Sequence, residues 1–104
     1  MDPGLRRDDE VLVIPSPHAI ATLPADHLLV EGGAGTAAAF LAANLVDRLL
    51  LYRAPIVIGG GLPAIGAISL TDLGSAHGRW QLHDARQLGS DRLEVYERTP
   101  CSPA

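Results

Sequence analysis

The hydrophobic and polar positions change their spacing along the chain, and each spacing predicts a different element. Four short apolar runs predict strands, at residues 11–15, 28–30, 48–55 and 56–59. After the second run, Phe40, Leu41 and Leu45 recur at helical spacing. They predict an amphipathic helix over about residues 34–46.

The last third of the chain has the pattern of a β-hairpin. Residues 79–89 and 92–98 alternate apolar and polar side chains, and a turn sequence joins them. The order of elements predicts an α/β domain with a mixed β-sheet over residues 11–98. Polar residues 1–10 and the tail at 99–104 have no such pattern, so we expect them to be a disordered arm and a disordered tail.

Composition restricts the possible function classes. The chain has 104 residues, 47% of them hydrophobic and 19% charged, which predicts one small globular domain. A net charge of −4 provides no basic face, which argues against nucleic acid or an anionic membrane as a partner. No apolar run could span a bilayer, and the N-terminus lacks an apolar signal segment. Cys101 is the single cysteine, so we expect a cytoplasmic protein without a disulfide. The histidines lack metal-ligand spacing, so no metal site is predicted.

The segment "EGGAGT" at residues 31–36 lies between a predicted strand and the predicted helix. The first turn of a helix has free N–H groups and a partial positive charge, and glycines let a phosphate approach the backbone. The hydroxyl of Thr36 could add a further donor. This pattern therefore indicates a phosphate-binding turn.

Other interpretations of the glycines are a dinucleotide fingerprint and close packing of the helix on the sheet. The pattern alone does not exclude close packing. Gly33, Gly35 and Ala38 fit a dinucleotide fingerprint, but Arg53 occupies the place where that pattern has an acidic residue. The small residues could also simply let the helix lie close to the sheet. A Walker A loop is excluded because the chain has no Gly-Lys-Ser/Thr.

The order of motifs over residues 28–98 resembles the C-terminal reductase domain of the bifunctional riboflavin-biosynthesis deaminase–reductase family. That domain has a hydrophobic strand, Glu-Gly-Gly, a helix ending in Leu-Val-Asp, a strand ending in Ala-Pro, and a strand closing in Gly-Gly. The corresponding segments here are residues 28–30, 31–33, 45–47, 54–55 and 56–60. The sequence over residues 86–98 is similar to the last hairpin of the family.

The resemblance implies a dihydrofolate-reductase-like fold and NADPH-dependent reduction of 5-amino-6-(5-phosphoribosylamino)uracil in riboflavin biosynthesis. Glu31 would lie beside the substrate ribose and the nicotinamide. No catalytic side chain is predicted, because the hydride comes from the cofactor. A branched side chain at Gly33 is expected to block the phosphate and to strain a turn that needs positive φ. The positions that would bind the cofactor pyrophosphate are Gly32, Gly33, Ala34, Gly35 and Thr36.

The chain also departs from the family pattern. The motifs match only the second half of the reductase domain, which predicts a truncated domain. The deaminase motifs H-x-E and P-C-x-x-C are absent, which excludes zinc-dependent deamination by this chain. The alternative to a reductase is a non-catalytic nucleotide-binding or associative remnant. In both cases we expect this chain to have a protein partner, because a half-domain leaves open sheet edges. The partner would be a further copy of the chain in a homo-oligomer, or a chain that supplies the missing half.

Overall fold

A computed structural model describes residues 12–100. The predicted arm at residues 1–10 and the last four residues of the predicted tail lie outside this range. The helix α1 spans Ala34–Ala42, and the three strands are β1 (Arg48–Arg53), β2 (Trp80–Leu88) and β3 (Asp91–Arg98). Two short 3-10 helices, Pro17–Thr22 and Leu73–Ala76, lie in the connecting segments. The helix and strands give the α/β composition predicted from the sequence.

The three strands form one sheet with the order β1-β3-β2, and both pairings are antiparallel. The predicted hairpin is confirmed: Leu88 pairs with Asp91, so Gly89 and Ser90 form a two-residue loop. Gly89 has a φ of 62°, and a tight hairpin turn favours glycine at such a position. The register of β2 shifts between Leu82 and Asp84, which marks a bulge.

The helix ends four residues before the predicted boundary because Asn44 leaves the helical conformation. Asn44 has a φ of 62°, which is the left-handed region. Its N–H donates to Leu41 O at 3.0 Å, and the N–H of Leu45 donates to Phe40 O at 3.1 Å. These two bonds form the Schellman motif that ends many helices. The apolar spacing continues to Leu45, but the backbone does not.

Three predicted strands are not strands in the structure. Residues 12–15, 28–30 and 56–59 form no ladder with any part of the chain that the structure describes. A strand needs a partner for its N–H and C=O groups, and an apolar run does not provide one by itself. The sheet of the described residues is therefore antiparallel rather than mixed as predicted.

Few side chains of the described residues are fully buried. Val95, at the centre of β3, and Ala38, in α1, are the two buried hydrophobic residues in this range. The side chain of Val57 is 98% exposed, and its neighbours Ile56 and Ile58 are also exposed. Large apolar side chains that lie in water are typical of a surface that another polypeptide covers. Among residues 12–100, no helix has the length and apolar character needed to cross a membrane.

Candidate functional site

The turn before α1 contains one glycine that the backbone requires. Gly32 has a φ of 152°, a value that side chains rarely allow. A Cβ atom at this position would lie 3.1 Å from both Cβ and Oγ1 of Thr36. The predicted positive φ at Gly33 is wrong, because Gly33 has a φ of −83° and a ψ of −174°. The conformational constraint therefore belongs to Gly32.

Gly33 is the N-cap residue of α1, and no side chain caps the helix. Its carbonyl accepts a hydrogen bond from the N–H of Ala37 at 3.1 Å. The preceding N–H groups of the first turn, on Ala34, Gly35 and Thr36, have no carbonyl partner within the helix. The first turn also carries no acidic residue. These N–H groups and the positive end of the helix dipole are suited to bind an anion.

Two glycines at this turn face open space. A Cβ atom built on Gly33 or on Gly35 meets no other atom within 4 Å. The chain's own packing therefore does not explain why these two positions lack a side chain. The open space would let a phosphate approach the backbone of the first helical turn.

Close packing of small residues involves Ala34 and Ala38, which contact Gly66. Gly66 donates its N–H to Ala34 O at 3.0 Å, in addition to the bonds within α1. A Cβ atom on Gly66 would lie 3.3 Å from Ala34 O and 3.4 Å from the Cβ of Ala38. Tight packing thus accounts for Gly66 and Ala38, while Gly33 and Gly35 lie outside that contact.

Glu31 precedes the two consecutive glycines and is exposed. It forms no ion pair with any of residues 12–100. Thr36 is also exposed, and its side chain lies over Gly32. The structure thus brings the predicted residues 31–36 together on one continuous turn, with the carboxylate at its start and the helix behind it.

A separate depression in the described surface lies away from the turn. Its volume is about 560 Å³, and its lining includes Ala42, Ser69 and Arg79 but none of residues 31–36. It is wide open at the opposite end of α1, so it does not enclose a ligand. We place the candidate site at the turn, because exposed N–H groups bind an anion without an enclosed cavity.

The Leu-Val-Asp segment after the helix has a structural role that the sequence did not reveal. The guanidinium of Arg98 donates to Asn44 O at 2.6 Å and to the carboxylate of Asp47 at 2.8 Å. The N–H of Arg98 also donates to Asp47 O at 3.0 Å. The end of β3 is therefore bonded to the connection between α1 and β1.

Arg48 forms an ion pair across the sheet with Glu97. The Oε1 atom of Glu97 lies 3.5 Å from Nδ1 of His83. The hydrogen bond from Arg48 is the main reason that the pKa of Glu97 lies below its usual value. Asp47 and Arg48 thus have separate partners on β3 rather than each other. No cluster of three or more potential metal ligands occurs within residues 12–100.

A second charged cluster lies on the sheet, and the sequence analysis did not predict it. Arg53, Arg92 and Tyr96 surround the carboxylate of Glu94. The alternation in residues 92–98 places Arg92, Glu94 and Tyr96 on one face, which the sequence could have indicated. The approach of Arg53 depends on the cross-strand register, which the sequence does not specify.

Comparison with known proteins identifies the family. The model of the RibD C-terminal domain matches residues 16–93. The riboflavin biosynthesis protein RibD of Mycobacterium tuberculosis is 38% identical over 66 residues, which is 64% of this chain and 19% of that protein. The protein of the same name from Haemophilus influenzae is 37% identical over 70 residues, which is 66% of this chain and 18% of that protein.

A third relative, the riboflavin biosynthesis protein RibD of Corynebacterium ammoniagenes, is 47% identical over 38 residues. That match covers 36% of this chain and 11% of the relative. The chain spans less than a fifth of the length of the first two relatives it matches. The family model nevertheless covers most of the chain, including the glycine turn, α1 and β1. The chain therefore belongs to the RibD C-terminal domain family.

Proposed function

We propose that this chain is a reductase domain of riboflavin biosynthesis that binds NADPH at the turn formed by residues 32–36. Two observations support the proposal. The chain belongs to the RibD C-terminal domain family, and its relatives are named riboflavin biosynthesis proteins. The observation that carries the cofactor site is the glycine turn, whose open backbone meets the start of a helix.

The residues of the turn fit the pyrophosphate of a dinucleotide. The N–H groups of Ala34, Gly35 and Thr36 would donate to the phosphate oxygens, and the helix dipole would favour the negative charge. Gly33 and Gly35 would leave room for those oxygens. Gly32 would hold the turn in shape through its positive φ.

The proposed substrate is 5-amino-6-(5-phosphoribosylamino)uracil, whose ribose would be reduced to a ribityl chain. The bound cofactor would supply the hydride, so the protein needs to position the two molecules rather than provide a nucleophile. Glu31 would lie beside the substrate ribose and the nicotinamide and accept a hydrogen bond from a ribose hydroxyl. In this proposal, the described strands and helix are part of a larger dihydrofolate-reductase-like sheet.

The test is a titration of the purified chain with NADPH, followed by calorimetry, for the wild type and for Gly33→Val. Because space around Gly33 is open and its φ is negative, the valine can fit the protein but would occupy the space of the phosphate. We expect binding to weaken at least about tenfold, which corresponds to about 1.4 kcal/mol. Thermal melting of each variant separates lost binding from lost folding.

Gly60→Val is the matched control. Gly60 also faces open space and has no positive φ, but it lies outside the turn. This variant should bind NADPH like the wild type. If the wild-type chain shows no binding at millimolar NADPH, it is not a reductase by itself, and the non-catalytic alternative replaces the proposal. If a folded Gly33→Val binds as tightly as the wild type, the pyrophosphate does not lie at this turn.

A further inference from the structure

Two arginines stand directly opposite each other on neighbouring strands. Arg53 ends β1, Arg92 lies near the start of β3, and the two are register partners. Their side chains therefore leave the sheet on the same face. Like charges placed directly opposite each other destabilise a sheet, so this pair needs a compensating group.

Glu94 provides that compensation and also orients both arginines. The Nε of Arg53 donates to one carboxylate oxygen of Glu94 at 3.2 Å, and the Nε of Arg92 donates to the other at 3.3 Å. The hydroxyl of Tyr96 donates to the first oxygen at 2.8 Å. The Glu94 side chain is only 15% exposed, so it lies beneath the groups that it binds. The hydrogen bond from Tyr96 is the main cause that lowers the pKa of Glu94.

The arrangement leaves the outer ends of both guanidinium groups available. Each arginine uses its Nε for Glu94, and its two terminal nitrogens bond to nothing among residues 12–100. The side chains are 60% and 51% exposed. Two positive groups and one carboxylate leave a local charge of about +1 on a chain whose net charge is −4.

We propose that Arg53 and Arg92 together form a binding site for a phosphate monoester. Each guanidinium presents planar, paired N–H donors that match the spacing of phosphate oxygens. A doubly charged monoester matches two such groups better than a single carboxylate does. The neighbours on this face, Leu51 and Ala85, carry no charge that would repel the ligand.

The site does not depend on the glycine turn, but two ligands of the proposed function could supply its phosphate. NADPH carries a monoester on its 2′-oxygen, and the proposed substrate carries one on its ribose. The experiment therefore uses inorganic phosphate first and then separates these two sources.

The first measurement follows backbone amide shifts in NMR spectra as the full chain is titrated with inorganic phosphate at constant ionic strength. We expect the amides of Arg53 and Arg92 to shift in the wild type. Arg53→Gln and Arg92→Gln should each weaken binding at least about fivefold. Arg53→Lys should also weaken it, because lysine keeps the charge but loses the paired donors.

Arg86→Gln is the matched control. Arg86 also donates through Nε to a carboxylate, that of Asp84, but it forms a single pair on the opposite face of the sheet. This variant should bind phosphate like the wild type. The proposal is overturned if wild type does not bind phosphate, if both glutamine variants at the proposed site bind normally, or if Arg86→Gln weakens binding equally. Melting curves confirm that each variant is folded.

The second measurement identifies the source of the phosphate. If the 2′-phosphate binds here, wild type should prefer NADPH to NADH and Arg53→Gln should lose that preference. If the substrate phosphate binds here, ribose 5-phosphate should shift the same amides, and Arg53→Gln should weaken its binding. If the arginine variants change neither ligand, the proposal is overturned. Gly33→Val tests the cofactor turn separately. If this variant loses NADPH binding but still binds phosphate, the arginine site is independent of the turn.

Discussion

The N-cap of α1 offers a substitution that should move stability and cofactor binding in opposite directions. In Gly33→Asp, the new carboxylate can accept a hydrogen bond from the N–H groups of the first turn, which no side chain caps in the wild type. The backbone of Gly33 is already extended, as an N-cap aspartate requires. The same carboxylate would place a negative charge beside the proposed pyrophosphate.

The expected magnitudes follow from the position of the charge. Aspartate exceeds glycine as an N-cap by a few tenths of a kcal/mol, and a negative charge at a helix N-terminus adds about 0.3–1 kcal/mol. In a domain of this size, each kcal/mol raises the melting temperature by about 4–8 °C, so we expect a rise of roughly 2–10 °C. A negative charge about 5 Å from the pyrophosphate costs about 0.8–3 kcal/mol, which weakens binding roughly 4-fold to 150-fold.

Thermal melting and NADPH titration of the same samples provide the assay, with Gly60→Asp as the control for total charge. Gly60→Asp should leave both the melting temperature and the affinity nearly unchanged, because Gly60 caps no helix. A Gly33→Asp variant that melts higher and still binds NADPH like the wild type would refute the placement of the pyrophosphate. If this variant melts lower instead, Gly33 is not the N-cap.

Three further predictions concern stability and assembly. Gly32→Ala should lower the free energy of unfolding by about 1–3 kcal/mol, because the φ of 152° strains alanine and its Cβ would contact Thr36; a urea-unfolding difference below about 0.5 kcal/mol would contradict this. The pKa of Glu94 is lowered mainly by the hydrogen bond from Tyr96, so its contribution to stability is present above the ordinary glutamate pKa and is lost as the pH falls through the lowered value in the folded state. Urea unfolding should therefore show a smaller decrease in the free energy of unfolding from pH 6 to about pH 3 for Glu94→Gln than for wild type. Equal decreases would disprove the link between the Glu94 pKa and stability. Light scattering should show a dimer or larger species, because Val57 and its apolar neighbours need cover; a compact, stable monomer would be inconsistent with this expectation.

The parts of the fold that sequence predicted well depend on local information. The β2–β3 hairpin was predicted because its alternation and its turn residues lie within one continuous segment. The start of α1 was predicted because the glycines lie directly before the helical spacing. Its end was placed too late, because Leu45 continues the apolar spacing while Asn44 turns the backbone into the left-handed region.

The parts that sequence did not predict depend on partners that are distant in the chain. Residues 28–30 and 56–59 have the composition of buried strands, but pairing needs a second strand, and composition does not specify one. The ion pairs of Arg98 with Asp47 and of Arg53 with Glu94 arise from the register between β1 and β3. At the candidate site, the sequence located the turn, but it assigned the positive φ to Gly33 instead of Gly32.

The pairing of β1 with β3 has a consequence for synthesis of the chain on the ribosome. β1 pairs only with β3 within the described sheet, and Arg48 meets Glu97, 49 residues further on. At about 5–20 residues per second, β1 is made roughly 2–10 seconds before its partner exists. Throughout that interval the leucines of β1 have no neighbouring strand, which makes this segment a target for chaperones that bind apolar nascent chains. Once β3 emerges, the hairpin with β2 can form in microseconds and offer β1 its edge, so assembly of the sheet is limited by translation rather than by diffusion.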